Sequence, residues 1–229
     1  MTLTAADVKR KARELGADLV NVTSCAALEA SPPDPNWPQV PSRISKRMKS
    51  CIVHAIRMPW GMFLTDNQTC LSMAAQLLLR RTEEVSLALS LWLEEQGAYA
   101  FQVATEETDP ELKRGSYGYL SLRHLGVEAG MGTLGLEVNI LTPEFGPRVY
   151  QGAVLTELEL EPDPRITSQL CIGETCGRCL YSCPTNAVLH WGLDKRLCGQ
   201  AAQPDGISAI VHGTLVPMAE EPTAERIRT

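Results

Sequence analysis

CIGETCGRCLYSCPTNAV, residues 171–188, places four cysteines within thirteen residues. Four thiolates this close can converge on one inorganic core, because each iron takes one soft sulfur ligand. Cys176, Cys179 and Cys183, the last followed by Pro184, keep the C-x2-C-x3-C-P spacing of bacterial ferredoxins. Gly177 between the first two lets backbone amides turn toward sulfur, and such hydrogen bonds raise a cluster's potential. The run predicts a [4Fe-4S] cluster on Cys171, Cys176, Cys179 and Cys183, with Cys198 as the alternative to Cys183 for the closing ligand. Two other readings stay open. Cys171, Cys176 and Cys179 also fit the C-x4-C-x2-C spacing of plant-type two-iron ferredoxins, whose fourth ligand is remote. Zinc takes cysteines too, although its structural sites usually show two C-x2-C knuckles separated by a longer stretch.

Outward from this run the cysteines thin. Of the eight in the chain, Cys25, Cys51 and Cys70 stand singly among apolar neighbours and read as small buried hydrophobes. The opening MTLTAADVKRKARELG has no apolar core of a secretory signal. The longest apolar stretches, such as residues 74–79, fall well short of the roughly 20 residues that span a bilayer. Both points suggest the cytoplasm, where clustered cysteines mean metal rather than disulfides. With 27 acidic against 21 basic side chains and a net charge of -6, the chain is a poor match for DNA or for an anionic membrane. A small molecule or a protein, including an external electron-donor protein, is the expected partner.

Upstream of the cysteines the pattern is mixed α/β. Residues 4–15 read as a helix capped by Thr4 with Asp7 three positions on, closing at Gly16. Residues 17–22 and 51–56 read as strands, and 31–42, with five prolines in twelve residues, as an extended surface loop. Apolar positions at helical spacing, Leu71, Ala74, Ala75, Leu78, Val85, Leu89 and Leu93, make 67–96 the main core helix, stopped by Gly97. A short strand at 99–103 precedes the polar TEETDPELKRGSYGY, 105–119, which reads as a mobile loop over a site or, for its charged half above all, as a solvated surface. Residues 121–129 form a helix ending at Gly130, and 138–142 and 149–160 two strands joined by a tight turn at 143–147. EPDP, 161–164, marks a boundary between an α/β domain, 1–164, and a module, 165–229, too small and cysteine-rich to hold a core without metal.

The second notable stretch is AGMGTLGLEVN, 129–139. Its Gly130, Gly132 and Gly135 imitate a dinucleotide fingerprint but follow a helix, where that motif must follow a strand. The glycines serve either as a helix cap with a tight turn or as bare backbone against a large planar cofactor.

The longer run AGMGTLGLEVNILTPEFGPRVYQGAVLTELELEPDP, 129–164, followed by CPTNAV, resembles the core of epoxyqueuosine reductase and its relatives, including the reductive dehalogenases. The N-terminal helix and strand, SCIVHAI and the long helix extend the resemblance more weakly over most of the chain. It implies a nitroreductase-like α/β domain holding cobalamin, joined to a ferredoxin-like iron–sulfur module at the C-terminus. Gly130, Gly132, Gly135, Asn139 and Arg148 are the implied cofactor-facing positions. No D-x-H-x-x-G run supplies a cobalt-ligating histidine, so a bound corrinoid would keep an open axial position. The reaction implied is single-electron delivery from the cluster to cobalamin for reduction of a small organic or nucleoside substrate.

Departures matter as well. Ligands for one cluster are present where epoxyqueuosine reductase carries two. The family's acid motif falls, by counting, on 116–122, where Ser116 stands in place of the aspartate. Tyr117 or Tyr119 would then be the proton donor. His124, inside a helix, reads as a satisfied core residue. The missing acid and the missing second cluster both favour an alternative, a non-catalytic electron-transfer or corrinoid-handling activator. A third reading replaces cobalamin with flavin, FMN, its phosphate met by the basic group Arg43, Lys46, Arg47 and Lys49.

Overall fold

A computed structural model describes residues 3–105, 109, 111, 117–195, 197 and 198. It divides into two compact units, Met1–Gly135 with Asn139–Ile172, and Leu136–Val138 with the chain from Gly173 onward.

The first unit is built on a four-stranded antiparallel sheet. Its strands are β1 (Leu19–Ser24), β2 (Ser50–Arg57), β3 (Ala100–Val103) and β6 (Val149–Thr156), in the order β1-β2-β6-β3. The register runs Val22↔Ile52↔Val154 across the middle, so each side-chain row continues from strand to strand. Every residue of β2 but Arg57 is buried. That accounts for its near-continuous apolar run, since a strand covered on both faces has no polar side to alternate with.

Helices cover both faces. Against one lie α1 (Ala5–Glu14) and α3 (Gln68–Glu95), which bury Val8, Ala12, Val85, Leu89 and Leu93 on Ile52, Ile56 and Val154. The opposite face, with Cys51, Val53, Ala55 and Leu155, takes Cys25 and Leu28 of α2 (Cys25–Ala30) and Leu125 of α4 (Leu122–Glu128). Local signals place these helices. Thr4 and Asp7 form the reciprocal capping box of α1. Asn67 accepts from the Cys70 amide at 3.0 Å to start α3, and Gly97, at φ 85, lets the chain turn away at its end. Among the described residues no helix is long and apolar enough to cross a membrane.

Four expectations need correction. Cys70 is exposed, because the first turns of α3 lie beyond the stretch that packs on the sheet. The strand at 138–142 shrinks to β5 (Ile140–Leu141), and it pairs with β4 (Thr133–Leu134) rather than with β6. The turn closes on itself instead: Thr142 and Gly146 exchange amide-to-carbonyl bonds of 3.0 and 2.8 Å. β6 ends at Thr156, short of 160, and enters the sheet between β2 and β3. Asp109, in the segment read as solvated, is 1% exposed and paired with Arg43. No helix is expected over 25–30, yet Ser24 caps α2 through the Ala27 amide at 3.1 Å.

Two close packings give the fold testable weak points. Opposite Gly152 in the register stands His54, fully buried, its Nε2 2.7 Å from Ser86 Oγ. Burial pushes the His54 pKa down to about 4. Between an ordinary histidine value near 6.5 and that depressed value, the unfolded chain takes up a proton that the folded chain refuses, so stability falls as pH drops through this window, by on the order of 3 kcal/mol. Urea unfolding across that range should show the fall in the wild type and a flatter profile in H54L. At Gly132 an added Cβ would lie 2.2 Å from the Leu141 carbonyl oxygen, in the β4–β5 pairing. G132A should therefore cost about 1–3 kcal/mol in thermal unfolding, whereas G61A, with nothing within 4 Å, should be neutral.

Candidate functional site

The cysteine run folds within the second unit from Cys176 onward, while Cys171 lies in the first. A 3-10 turn, Gly173–Thr175, leads into Gly177, whose φ of 56 is the left-handed conformation that opens the short helix α5 (Arg178–Ser182). The side of Gly177 away from the chain is occupied by Tyr181, whose ring would lie 3.0 Å from an added Cβ. Cys179 is carried by α5, and Cys183 terminates it in extended geometry, as the following proline requires. The hairpin β7 (Val188–Leu189) and β8 (Gly192–Leu193) follows. Beyond it Cys198 closes a turn through its amide on the Asp194 carbonyl at 2.9 Å.

Cys183 has the most developed environment. Its sulfur accepts the Ala187 amide at 3.2 Å and lies 3.7 Å from the Thr185 hydroxyl. Amides donated to the sulfur, that of Val188 foremost and then that of Thr185, bring its pKa down to about 7. Cys179 is pushed the other way, up, by burial and then by the carboxylate of Glu137. Cys176 is exposed, and Cys171 donates its amide to Gln169 Oε1 at 3.2 Å. Among the described residues no three His, Cys, Asp or Glu side chains stand together as a metal-binding group. The donor chemistry nevertheless suits iron and sulfide. The ligand atoms are all soft, and at Cys183 the backbone presents the amides that cluster thiolates accept.

The glycine-rich stretch lies in the first unit. Gly130 adopts φ 72, and an added Cβ would sit 2.0 Å from the Pro164 carbonyl oxygen; at Gly132 the Leu141 carbonyl takes that space. Gly135 donates its amide to the Asn139 carbonyl at 2.7 Å, and Asn139 Oδ1 accepts the Ile140 amide at 3.0 Å. Arg148 donates to the Met58 carbonyl at 2.8 Å and lies 4.0 Å over the Trp60 ring. Each of these five positions thus has a neighbour within the unit itself.

The tyrosines are held by contacts that the sequence did not signal. Tyr117 accepts the Asp109 amide through its carbonyl at 2.7 Å, and Gln39 donates to the Gly118 carbonyl at 2.6 Å. The Tyr119 ring lies 5.7 Å from the Arg43 guanidinium, which pairs with buried Asp109 and with Glu111. Arg43 and Asp109 are 66 residues apart, and nothing local marks such a pair. His124 is half-buried and meets the Ser31 carbonyl at 2.6 Å. Ser116 lies outside the described residues.

The basic group is largely neutralised. Arg43 has its two carboxylates, Arg47 meets Glu157 at 3.1 Å, and Lys49 meets Glu159 at 3.7 Å. Lys46 and Lys49 line an open cleft of about 730 Å³, but Glu29, Glu159 and Glu161 line it too. Such a mixture does not select a phosphate.

No protein-family model matches the chain. It is 42% identical over 82 residues to epoxyqueuosine reductase of Bacillus cereus, covering 35% of this chain and 21% of that protein. It is 26% identical over 189 residues to tetrachloroethene reductive dehalogenase of Dehalobacter restrictus, covering 72% and 32%. A solved epoxyqueuosine reductase with an epoxyqueuosine-modified stem loop of tyrosine tRNA matches with a TM-score of 0.56 at 20% identity, over 83% of this chain and 54% of that one. A reductive dehalogenase whose structure suggests a mechanism for B12-dependent dehalogenation matches with a TM-score of 0.63 at 19% identity, over 97% and 32%. The chain thus spans between about a fifth and about a half of these proteins, and the flavin alternative finds no support in them. In sequence the chain is thus similar to epoxyqueuosine reductases and to a reductive dehalogenase, and in fold to solved members of both.

Proposed function

We propose that the chain is an oxidoreductase of the epoxyqueuosine reductase and reductive dehalogenase superfamily: a nitroreductase-like α/β unit that binds cobalamin, and a ferredoxin-like unit that carries a [4Fe-4S] cluster. The observation that carries this reading is the set of backbone amides around the Cys183 sulfur, an arrangement that stabilises a thiolate and serves a cluster ligand. The core of the second unit supports it. Among the described residues Leu136 and Ala187 are its buried hydrophobic side chains, a small core of the kind that metal ligation supplements.

On this reading Cys171, Cys176, Cys179 and Cys183 hold the cluster, with Cys198 as the alternative to Cys183. Bound cobalamin would supply the difficult reductive step, as a low-valent cobalt. Tyr117 or Tyr119 would supply a proton, in the place where the acid of epoxyqueuosine reductase is missing. The substrate is a nucleoside or another small organic molecule, the nucleoside being favoured by the modified tRNA stem loop held by the neighbour. An external protein would donate the electrons. A second reading, favoured by Ser116 at the acid's position and by cysteines for a single cluster, keeps the cluster and removes substrate turnover: the chain would reduce or hand over the corrinoid of a partner.

Anaerobically prepared protein should bind about four iron and four sulfide per chain and absorb broadly in the visible through sulfur-to-iron charge transfer. C183S should lose most of that iron while C198S keeps it, and the reverse pattern would assign the closing ligand to Cys198. Zinc or no metal, with the thiols freely alkylated, would remove the electron-transfer reading. Titration with cobalamin should give saturable changes in the corrinoid bands. No binding would eliminate the enzyme as proposed and leave the cluster standing. Loss of Co(II) signal from an added corrinoid protein, without turnover of any small substrate, would select the second reading.

A further inference from the structure

The outer face of α3 carries a stripe that the sheet does not use. Met73, Leu77, Leu87 and Leu91 are 66%, 65%, 46% and 53% exposed, and Arg80 and Glu84 between them are exposed as well. Successive members of the series 73, 77, 80, 84, 87, 91 alternate steps of four and three, the spacing of a coiled-coil seam. At 100° per residue they fall on one narrow strip, opposite the face that buries Val85, Leu89 and Leu93. Single exposed leucines need no explanation, but two apolar pairs along about 27 Å of one helix, flanking Arg80 and Glu84 in one strip, make a patterned seam.

The stripe is also symmetric. Thr82, buried against the core, marks its midpoint: Met73 and Leu91, Leu77 and Leu87, and Arg80 and Glu84 are each equidistant from it. A two-fold axis crossing the helix at Thr82 sets a second α3 antiparallel to the first. Each residue then meets its mirror position, as an isologous interface requires. Leu77 faces the partner copy's leucine and the methionine likewise, while Arg80 faces a carboxylate from Glu84 twice over. A parallel pairing would oppose arginine to arginine, and a slip of one heptad would lose both ion pairs. Arg80 has no hydrogen-bond or ion-pair partner among the described residues, and Glu84 has only the surface residue Arg81 at 3.3 Å.

We propose that the outer face of α3 is a homodimer interface, an antiparallel helix pair centred on Thr82 whose orientation is set by Arg80 and Glu84 of the two copies. The occupant of the seam is a second copy because the charge order is complementary to itself and to no single-sign surface.

The test is the mass of the full chain in solution, by sedimentation equilibrium over a wide concentration range. Wild type should associate to twice the chain mass. R80E and E84R, both at exposed positions and both expected to keep the wild-type circular dichroism, each put like charges at the centre and should weaken the dimer at least about ten-fold. The double variant R80E/E84R restores opposite charges in swapped order and should regain the dimer, as should an equimolar mixture of the two single variants. A wild type that stays monomeric throughout overturns the proposal, whether the seam is bare or covered by another part of the chain. So does a dimer indifferent to R80E, or one lost in the single variants and not regained in the swap.

Discussion

The pairing of β2 with β6 is the constraint on which the first unit depends. Eight residue pairs, Ser50↔Thr156 through Arg57↔Val149, join two strands that each have a hydrogen-bonded neighbour on both edges. Their side chains supply both cores at once: Ile52 and Val154 to the α1 and α3 side, Cys51, Val53 and Leu155 to the α2 and α4 side. A one-residue slip would exchange these sets and move His54 out of the space left by Gly152 and Ser86. The buried histidine and the missing side chain at 152 therefore act as a register lock, at the cost of a nitrogen, Nδ1, with no hydrogen-bond partner among the described residues. Acid weakens this lock first, since protonation of the ring would place an unpaired charge in the core.

Much of this frame was legible in the sequence because it is local. The Thr4 and Asp7 capping box, the apolar run of β2 and the 28-residue helix α3 each announce themselves within a few residues. What escaped is non-local. β5 pairs with β4 because Gly132 lets the Leu141 carbonyl come close, and no periodicity in 138–142 records that approach. The charged segment after β3 reads as solvated, yet Asp109 is drawn into the unit by an arginine 66 positions earlier. Cys70 illustrates the opposite error, an apolar neighbourhood in sequence that faces outward because its helix overhangs the sheet. Along the outer face of α3, opposite Val85, Leu89 and Leu93, the helical spacing that serves the core continues in exposed apolar side chains.

The two candidate sites differ in what their own backbone accounts for. At Gly130 and Gly132 the absent side chains are accounted for by carbonyls of the chain itself, those of Pro164 and Leu141. These glycines would be required by the fold with or without a cofactor, and a resemblance in this stretch argues for architecture before it argues for cobalamin. Residues 176–198 offer no such internal account. Their buried hydrophobic side chain among the described residues is Ala187, α5 spans five residues, and the hairpin β7–β8 pairs two residues per strand. Elements of that size do not stand by themselves in water. A short lobe rich in cysteine, with amides already turned toward one sulfur, has its organising energy still to be supplied, and metal–thiolate bonds supply energy of that kind. Among the described residues of the second unit, iron–thiolate bonds would supply the organisation that side-chain packing does not, whereas a corrinoid in the first unit would meet backbone that the fold already holds in place.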